Sequence, residues 1–208
     1  MFRYAVPGVN ERPLSDVLEH SIYTQMKYHD LNIAHAEHVY NLSIQLFKQL
    51  KVLHKMPRVY VRVLKIAALL HDSGMRIKFY NHQLHSAYII LNSNLYGVPH
   101  KDIVVAAFVA AGHRKAENAR DEILKYKDML TQEDVDAIRK LSVIMSIAES
   151  LDRSQSGVVT GINCDVLGDS VFVKTECENG GDCALEVKDA MGAAAEFKAA
   201  YGKNLEIL

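Results

Sequence analysis

Four polar residues stand where apolar stripes end. On helices, residues three or four apart share a face. His35 falls with Val39, Leu42 and Leu46; His71 with Val61, Leu64 and Ala68; His113 with Ile103, Ala106 and Ala110; Asp152 with Ile138, Leu141, Met145 and Ala148. One histidine on such a stripe is ordinarily a satisfied core residue. Four coincidences are harder to dismiss, because a carboxylate facing a core must be paired, protonated or bound to a metal. Asp72 follows His71 directly. Neighbouring side chains project about 100° apart on a helix, so both reach one ion only near a helix end, and Gly74 supplies that end. Imidazole nitrogens mixed with carboxylate oxygens suit Zn²⁺, Mn²⁺, Fe or Ni²⁺ rather than Ca²⁺ or Mg²⁺. Such an ion lowers the pKa of a bound water and polarises a phosphoryl oxygen.

Other candidates lie close in sequence. His85 and His113 have two readings held level: ligands of a second metal, or a helix cap and a phosphate-binding imidazolium. Arg76, Lys78, Arg114, Lys115 and Arg153 each sit within a few residues of a proposed ligand. They form either a phosphate-binding rim or a solvated surface. Glu149, one turn before Asp152, is a candidate general base; its competing and preferred reading is an acceptor orienting a ligand histidine. His38 reads as surface or supporting, and His82 as a loop residue open to either role. His20, His29, His54 and His100 read as ordinary, and Met75, Met129 and Met145 as core filler.

The elements that position these residues are mostly helical. Ser15 is the expected cap of a first helix to about His29, followed by helices over about 32–53, 58–73, 83–95 and 99–111, the last opening at Pro99. A more polar helix is expected over 116–129. Thr131 and Asp134 form a capping-box start for a long helix to about Asp152. After Ser156-Gly157 the texture changes. Short β-rich runs at 158–165, 170–177 and 184–188 are separated by turn-like Gly168-Asp169 and Asn179-Gly180-Gly181, then come a helix over 190–201 and a strand over 205–208. We expect a helical domain over residues 1–157 and a small α+β subdomain over 158–208, too small to stand alone and so packed on the first.

Composition bounds the rest. With 49% apolar and 24% charged residues in 208, the chain is of ordinary globular make-up. A net charge of −1 argues for neither nucleic acid nor a membrane. Residues 158–208 carry nine acids and four bases, however, and every histidine lies between His20 and His113, which assigns histidine chemistry and anion binding to the first part. The start, MFRYAVPGVN, lacks a signal-peptide core. The longest uncharged apolar run, Ile103 to Gly112, is about half a membrane span. Three cysteines, Cys164, Cys177 and Cys183, read as reduced thiols in a cytoplasmic protein. Cys177 and Cys183 flank a turn and could approach, with a bridge the less favoured reading.

A His, a His-Asp pair and a distant Asp on separate helices resemble the pattern of the HD superfamily of metal-dependent phosphohydrolases. They lie among the stretches DLNIAHAEHVYNLSIQLF, AALLHDSG, HQLHSAYIILNS, GHRK and IAESLDRSQSG, spread over residues 31–157, which carry a narrower likeness. More closely, the chain is similar to the C-terminal half of the exopolyphosphatase and guanosine pentaphosphate phosphatase family, down to the ending EFKAAYGKNLEIL. The resemblance implies an HD-type helical bundle whose ligands are His35, His71, Asp72 and Asp152, with one or two divalent transition-metal ions (Mn, Fe, Zn or Ni) and Asp72 central to catalysis. It also implies that exopolyphosphatase chemistry belongs to actin-like domains that nothing in these residues matches. Three functions then compete. One is a metal-dependent hydrolase of a nucleotide or other phosphate ester. Another is a non-catalytic polyphosphate-binding and dimerising module, and the weakest is a structural bundle with trapped polar groups. The expected partners are a phosphate-containing small molecule or polyphosphate and a second copy in a homodimer, with no specific nucleic acid.

Overall fold

The computed structural model describes residues 16–114, 123, 125–178 and 181–208. Helix α1 (Val17–Tyr28) opens on Asp16, whose carboxylate accepts the N–H groups of Leu18 and Glu19 at 3.0 and 3.1 Å; Ser15, the expected cap, lies outside the described residues. Helix α2 (Ile33–Gln49) is followed by the single turn α3 (Lys51–His54), so the one helix expected here breaks at Leu50, a fully buried side chain that pins the corner. Then come α4 (Val59–Leu70), a 3-10 turn (Ser73–Arg76), α5 (His82–Asn92), α6 (His100–Gly112) and α7 (Gln132–Ser150). The helix expected over 116–129 falls largely outside the described residues, and 125–129 are turns. Thr131 and Asp134 do form the capping box of α7. Burial opposes the Asp134 charge, but Lys101 at 2.7 Å and Thr131 outweigh it and hold the carboxyl below its usual range.

Helix α6 explains the bundle. Residues Ile103 to Gly112 are all buried, so this helix is apolar on every side and must run through the middle. It packs on α4, α5 and α7, and α2 packs on α4 and α7. Leu42, Leu46, Leu64, Ile66 and Phe108 are sealed between them. Among the described residues no helix is long and apolar enough to cross a membrane.

The tail is a small α+β unit lying on this bundle. Strands β1 (Val159–Leu167) and β2 (Ser170–Cys177) form an antiparallel hairpin across Gly168-Asp169, with Gly168 at a φ of 54° that a side chain would strain. Strand β3 (Asn204–Ile207) pairs parallel to β2. The expected strand over 184–188 is instead helix α8 (Ala184–Ala190). Its buried residues, Glu186 and Ala190, are four apart on one face, and Asp182 accepts the Ala184 N–H at 2.9 Å. A 3-10 turn (Met191–Ala193) leads into α9 (Ala194–Tyr201).

Glutamines tie the sheet to the helices. Gln45 accepts the Ile162 N–H at 3.1 Å, while Gln49 accepts the Cys164 N–H and donates to the Ile162 carbonyl, both at 2.6 Å. The outer edge of β1 is thereby covered by side chains of α2. Tyr201, half-buried and stacked on Phe197, donates to the Lys140 carbonyl at 3.0 Å. Cys177 and Cys183 are joined as a disulfide, against expectation, with their Cα atoms 6.3 Å apart. Burial pushes the remaining thiol, Cys164, up to about 11.

A histidine–carboxylate cluster where helix ends meet

His71 and His113 directly follow the C-terminal ends of α4 and α6, and Asp152 follows that of α7. His35 lies in the first turn of α2, where the Asn32 side chain accepts its N–H at 3.2 Å, and His82 is the first residue of α5. Three helix C-termini thus turn their carbonyl ends, and partial negative charge, toward one spot. Gly74 makes this close approach possible. It does not end α4 in a left-handed conformation, as its type suggests; a Cβ there would lie 2.1 Å from the His82 carbonyl oxygen and 2.5 Å from the Ser86 nitrogen.

Each histidine is oriented in the same way. The Nδ1–H of His71 donates to the Ala68 carbonyl at 2.8 Å, that of His82 to Phe79 at 2.9 Å, and that of His113 to Ala110. His35 Nδ1 donates to Asp152 Oδ2 at 2.7 Å. These acceptors carry no hydrogen, so every Nδ1 carries the proton and every neutral ring presents a lone pair at Nε2. All four lone pairs face Asp72. Its Oδ2 is 3.5 Å from His71 Nε2 and 3.9 Å from His35 Nε2, and its Oδ1 is 3.3 Å from His82 Nε2. His82 Nε2 lies 3.3 Å from His113 Nε2. Burial, reinforced by the neighbouring His71, pushes the His113 imidazole well below its ordinary range and keeps it neutral.

Lone pairs set against lone pairs and a carboxylate repel one another unless a cation lies between them. Among the described residues, His71 Nε2 and Asp72 Oδ1 are buried with no hydrogen-bond partner. Two groups have donor atoms close enough together to hold one ion each: His35, His71 and Asp72, and Asp72, His82 and His113, with Asp72 common to both. A histidine that binds a metal through one nitrogen donates its other N–H to a carbonyl or carboxylate, and all four rings do so. The donor set fits one or two divalent ions.

Several expected roles change. His82, not His85, completes the second group, since the helix begins one residue earlier and places His82 on its inner lip. Nothing in the pattern around Asn81-His82 gave that away. Asp152 stands behind His35, and its other oxygen accepts the Gly157 N–H at 2.9 Å, so it orients the His35 ring and is outside both groups. Glu149 accepts from Arg114 Nη2 at 2.6 Å. Its other oxygen lies 3.2 Å from the His113 Nε2 lone pair, so it does not orient that ring by accepting from it and joins the carboxylates around the cluster.

The cations also divide. A cavity of about 140 Å³ opens on the cluster, lined by His35, Asp72 and Glu149 with Arg114 and Arg153. Arg76 is not in it: that side chain reaches outward to Asp30 at 3.6 Å. Lys115 lies outside the described residues. Met75, expected in the core, lines the cavity, and Met129 is exposed; only Met145 is core filler.

Fold and site together define a helical-bundle protein with a buried knot of histidines around one carboxylate, able to hold a metal ion. The chain belongs to the Ppx/GppA phosphatase family: the model of that family's domain III matches residues 17–186. Over 70 residues the chain is 37% identical to the guanosine-5'-triphosphate,3'-diphosphate pyrophosphatase of Aeromonas salmonicida (strain A449). That match covers 33% of this chain and 14% of the relative, about a seventh of the relative's length.

Proposed function

We propose that this chain is an HD-type metal-dependent phosphohydrolase acting on a nucleotide or other phosphate ester. The observation that carries the reading is the convergence of four oriented Nε2 lone pairs on Asp72, with His71 Nε2 and Asp72 Oδ1 buried and unsatisfied. His35, His71, Asp72, His82 and His113 would hold one or two ions of Mn, Fe, Zn or Ni. Such ions supply a hydroxide at neutral pH and polarise phosphoryl oxygens. The chain's own residues do the rest. Asp152 and the three backbone carbonyls hold each ring in one tautomer and direction. Arg114 and Arg153 line the cavity, paired with Glu149 at 2.6 Å and Asp189 at 3.9 Å, and are placed to neutralise a phosphate that displaces those carboxylates.

The relative's name supports phosphoanhydride or ester hydrolysis as the setting. The division at residue 157 belongs to the same account: the tail buttresses the loop after Asp152, where buried Glu186 accepts the Ser154 N–H at 3.3 Å. A second reading, a polyphosphate-binding and dimerising module, uses the same cavity arginines to bind an anion without hydrolysing it. A panel of phosphomonoesters, nucleotides and cyclic diesters with added Mn²⁺ or Ni²⁺ separates the two. The hydrolase account expects turnover in wild type and none in Asp72→Ala. No turnover with any metal, or equal turnover in both proteins, contradicts it.

A further inference from the structure

The loop after Asp152 is gripped from two sides, and one covalent bond joins the two grips. Arg153 Nε lies 3.9 Å from Asp189 Oδ2, and the Ser154 N–H donates to Glu186 Oε1 at 3.3 Å, so helix α8 holds the start of the loop. The Val158 carbonyl accepts the Glu178 N–H at 2.8 Å and Val159 pairs with Cys177, so the end of strand β2 holds its close. Cys183 directly precedes α8 and Cys177 is the last residue of β2, and these two are the disulfide. The gripped loop is the one that sets His35. Asp152 accepts from His35 Nδ1 through one oxygen and from the Gly157 N–H through the other. Gln155 accepts from Asn32 Nδ2 at 3.1 Å, and Asn32 caps α2 at the His35 N–H. Gln155 is held at a φ of 56°, a left-handed conformation that a residue with a side chain adopts only where its surroundings impose it. The loop therefore relaxes when a grip is released.

We propose that the Cys177–Cys183 bond is a redox latch on this loop. Closed, it fixes the loop and through it the His35 ring; opened by a dithiol reductant, it frees the loop and loosens the hold on a metal ion. That last consequence rests on the metal-binding reading above. Access favours opening, since Cys177 is exposed and Cys183 buried, and exposed bridges are the ones that thiols exchange with. A thiolate of the reductant attacks Cys177 Sγ, the Cys177–Cys183 bond breaks, and Cys183 Sγ leaves as a thiolate that takes the proton given up by the attacking thiol. The reductant's second thiol then displaces Cys177 Sγ from the mixed disulfide and protonates it. The reductant ends as a disulfide, and two electrons and two protons have passed to the cysteines. The rest of the tail keeps its own anchors, Gln45 and Gln49 on the backbone of β1 and Tyr201 on the Lys140 carbonyl, so the latch opens without the tail leaving the bundle.

Amide hydrogen exchange reads the loop directly. The metal-free full chain is compared in three forms: oxidised, reduced with a dithiol that is then removed, and Cys177→Ser with Cys183→Ser. Without the bridge the Ser154 and Gly157 amides should exchange about tenfold faster, while the Ile162 and Cys164 amides, bonded to Gln45 and Gln49, keep their rates. Titration of the same three preparations with Mn²⁺, an ion that thiolates do not favour, reads the site. Its affinity should fall about tenfold without the bridge, the low end for loss of a group that supports a ligand histidine. Reoxidation should restore it in wild type and not in the serine variant. Unchanged Ser154 and Gly157 amides, or Mn²⁺ held equally well in all three forms, overturn the latch. If the Ile162 and Cys164 amides speed up as well, the bridge holds the whole tail together and the latch fails. An amide difference with no Mn²⁺ uptake even by the oxidised chain upholds the latch on the loop and sinks the metal reading instead.

Discussion

His54 and His71 are both buried histidines near helix ends, yet their surroundings differ. At His54, Nε2 donates to the Phe47 carbonyl at 2.6 Å, Nδ1 accepts the Met56 N–H at 2.9 Å, and the ring stacks on Phe47. Both nitrogens are satisfied within the protein. At His71 only Nδ1 is satisfied, and Nε2 is sealed from water with nothing to bond. Burial alone therefore says little about function, and so does one unpartnered atom, since Ser43 Oγ and His38 Nε2 lack partners too. The metal reading proposed above rests on such an atom lying among converging donors, where an ion would offset the roughly 1–3 kcal/mol cost that the fold at His54 avoids.

The comparison can be broken most easily with metal. Binding only to the folded state stabilises it by about 2.7 kcal/mol at a hundredfold excess over Kd. Urea unfolding with and without Mn²⁺ or Zn²⁺ should show a gain of that size in wild type and in His54→Ala. In Asp72→Ala it should vanish. A gain that persists there would place the metal elsewhere.

His54→Ala should act on stability alone, costing about 2–3 kcal/mol by leaving the Phe47 carbonyl and the Met56 N–H without their partner. Its pH dependence has a definite sign. Burial lowers the His54 pKa below 6.5, so the unfolded chain takes up a proton first as pH falls. The stability that neutral His54 contributes is complete above 6.5 and is lost as pH falls through the lower folded value. The gap between wild type and His54→Ala, measured by urea midpoint on metal-free protein, should shrink from pH 7.5 to pH 5. A gap that widens would mean that His54 is charged in the folded state.

Asp152→Asn should have an intermediate effect. The amide can still accept from His35 Nδ1 but no longer carries charge, and loss of such a supporting carboxylate lowers metal affinity about 10–100-fold. If metal binding disappears entirely, as in Asp72→Ala, then Asp152 is a direct ligand and the geometry at His35 has been misjudged.

These contrasts also mark what the sequence made legible. Helical stripes ending in His35, His71, His113 and Asp152 were visible because burial and periodicity are local properties of a chain. The capping box at Thr131 was visible for the same reason. The division of labour inside the cluster was not, because it depends on which ring nitrogen meets which carbonyl. His82 was hidden since nothing in its neighbours distinguishes a loop from the first residue of α5, and Asp152 looked equal to Asp72 until the Nδ1 contact at 2.7 Å placed it behind His35. Likewise ALEVK alternates like a strand, and only the packing of Glu186 and Ala190 on one face shows a helix. The Cys177–Cys183 pairing depended on a close approach of the two Cα atoms that spacing alone does not give.

The central claim is that the lone pairs around Asp72 are held for a metal. It is tested most directly by the metal content of protein purified without chelator and re-exposed to Mn²⁺, Zn²⁺ or Ni²⁺, with Asp72→Ala prepared in parallel and its fold checked by circular dichroism. The account predicts about one or two ions per wild-type chain, two if both donor groups fill, and close to none in a folded Asp72→Ala. Wild-type protein that stays metal-free under all three ions, or a variant that keeps the full complement, would contradict it.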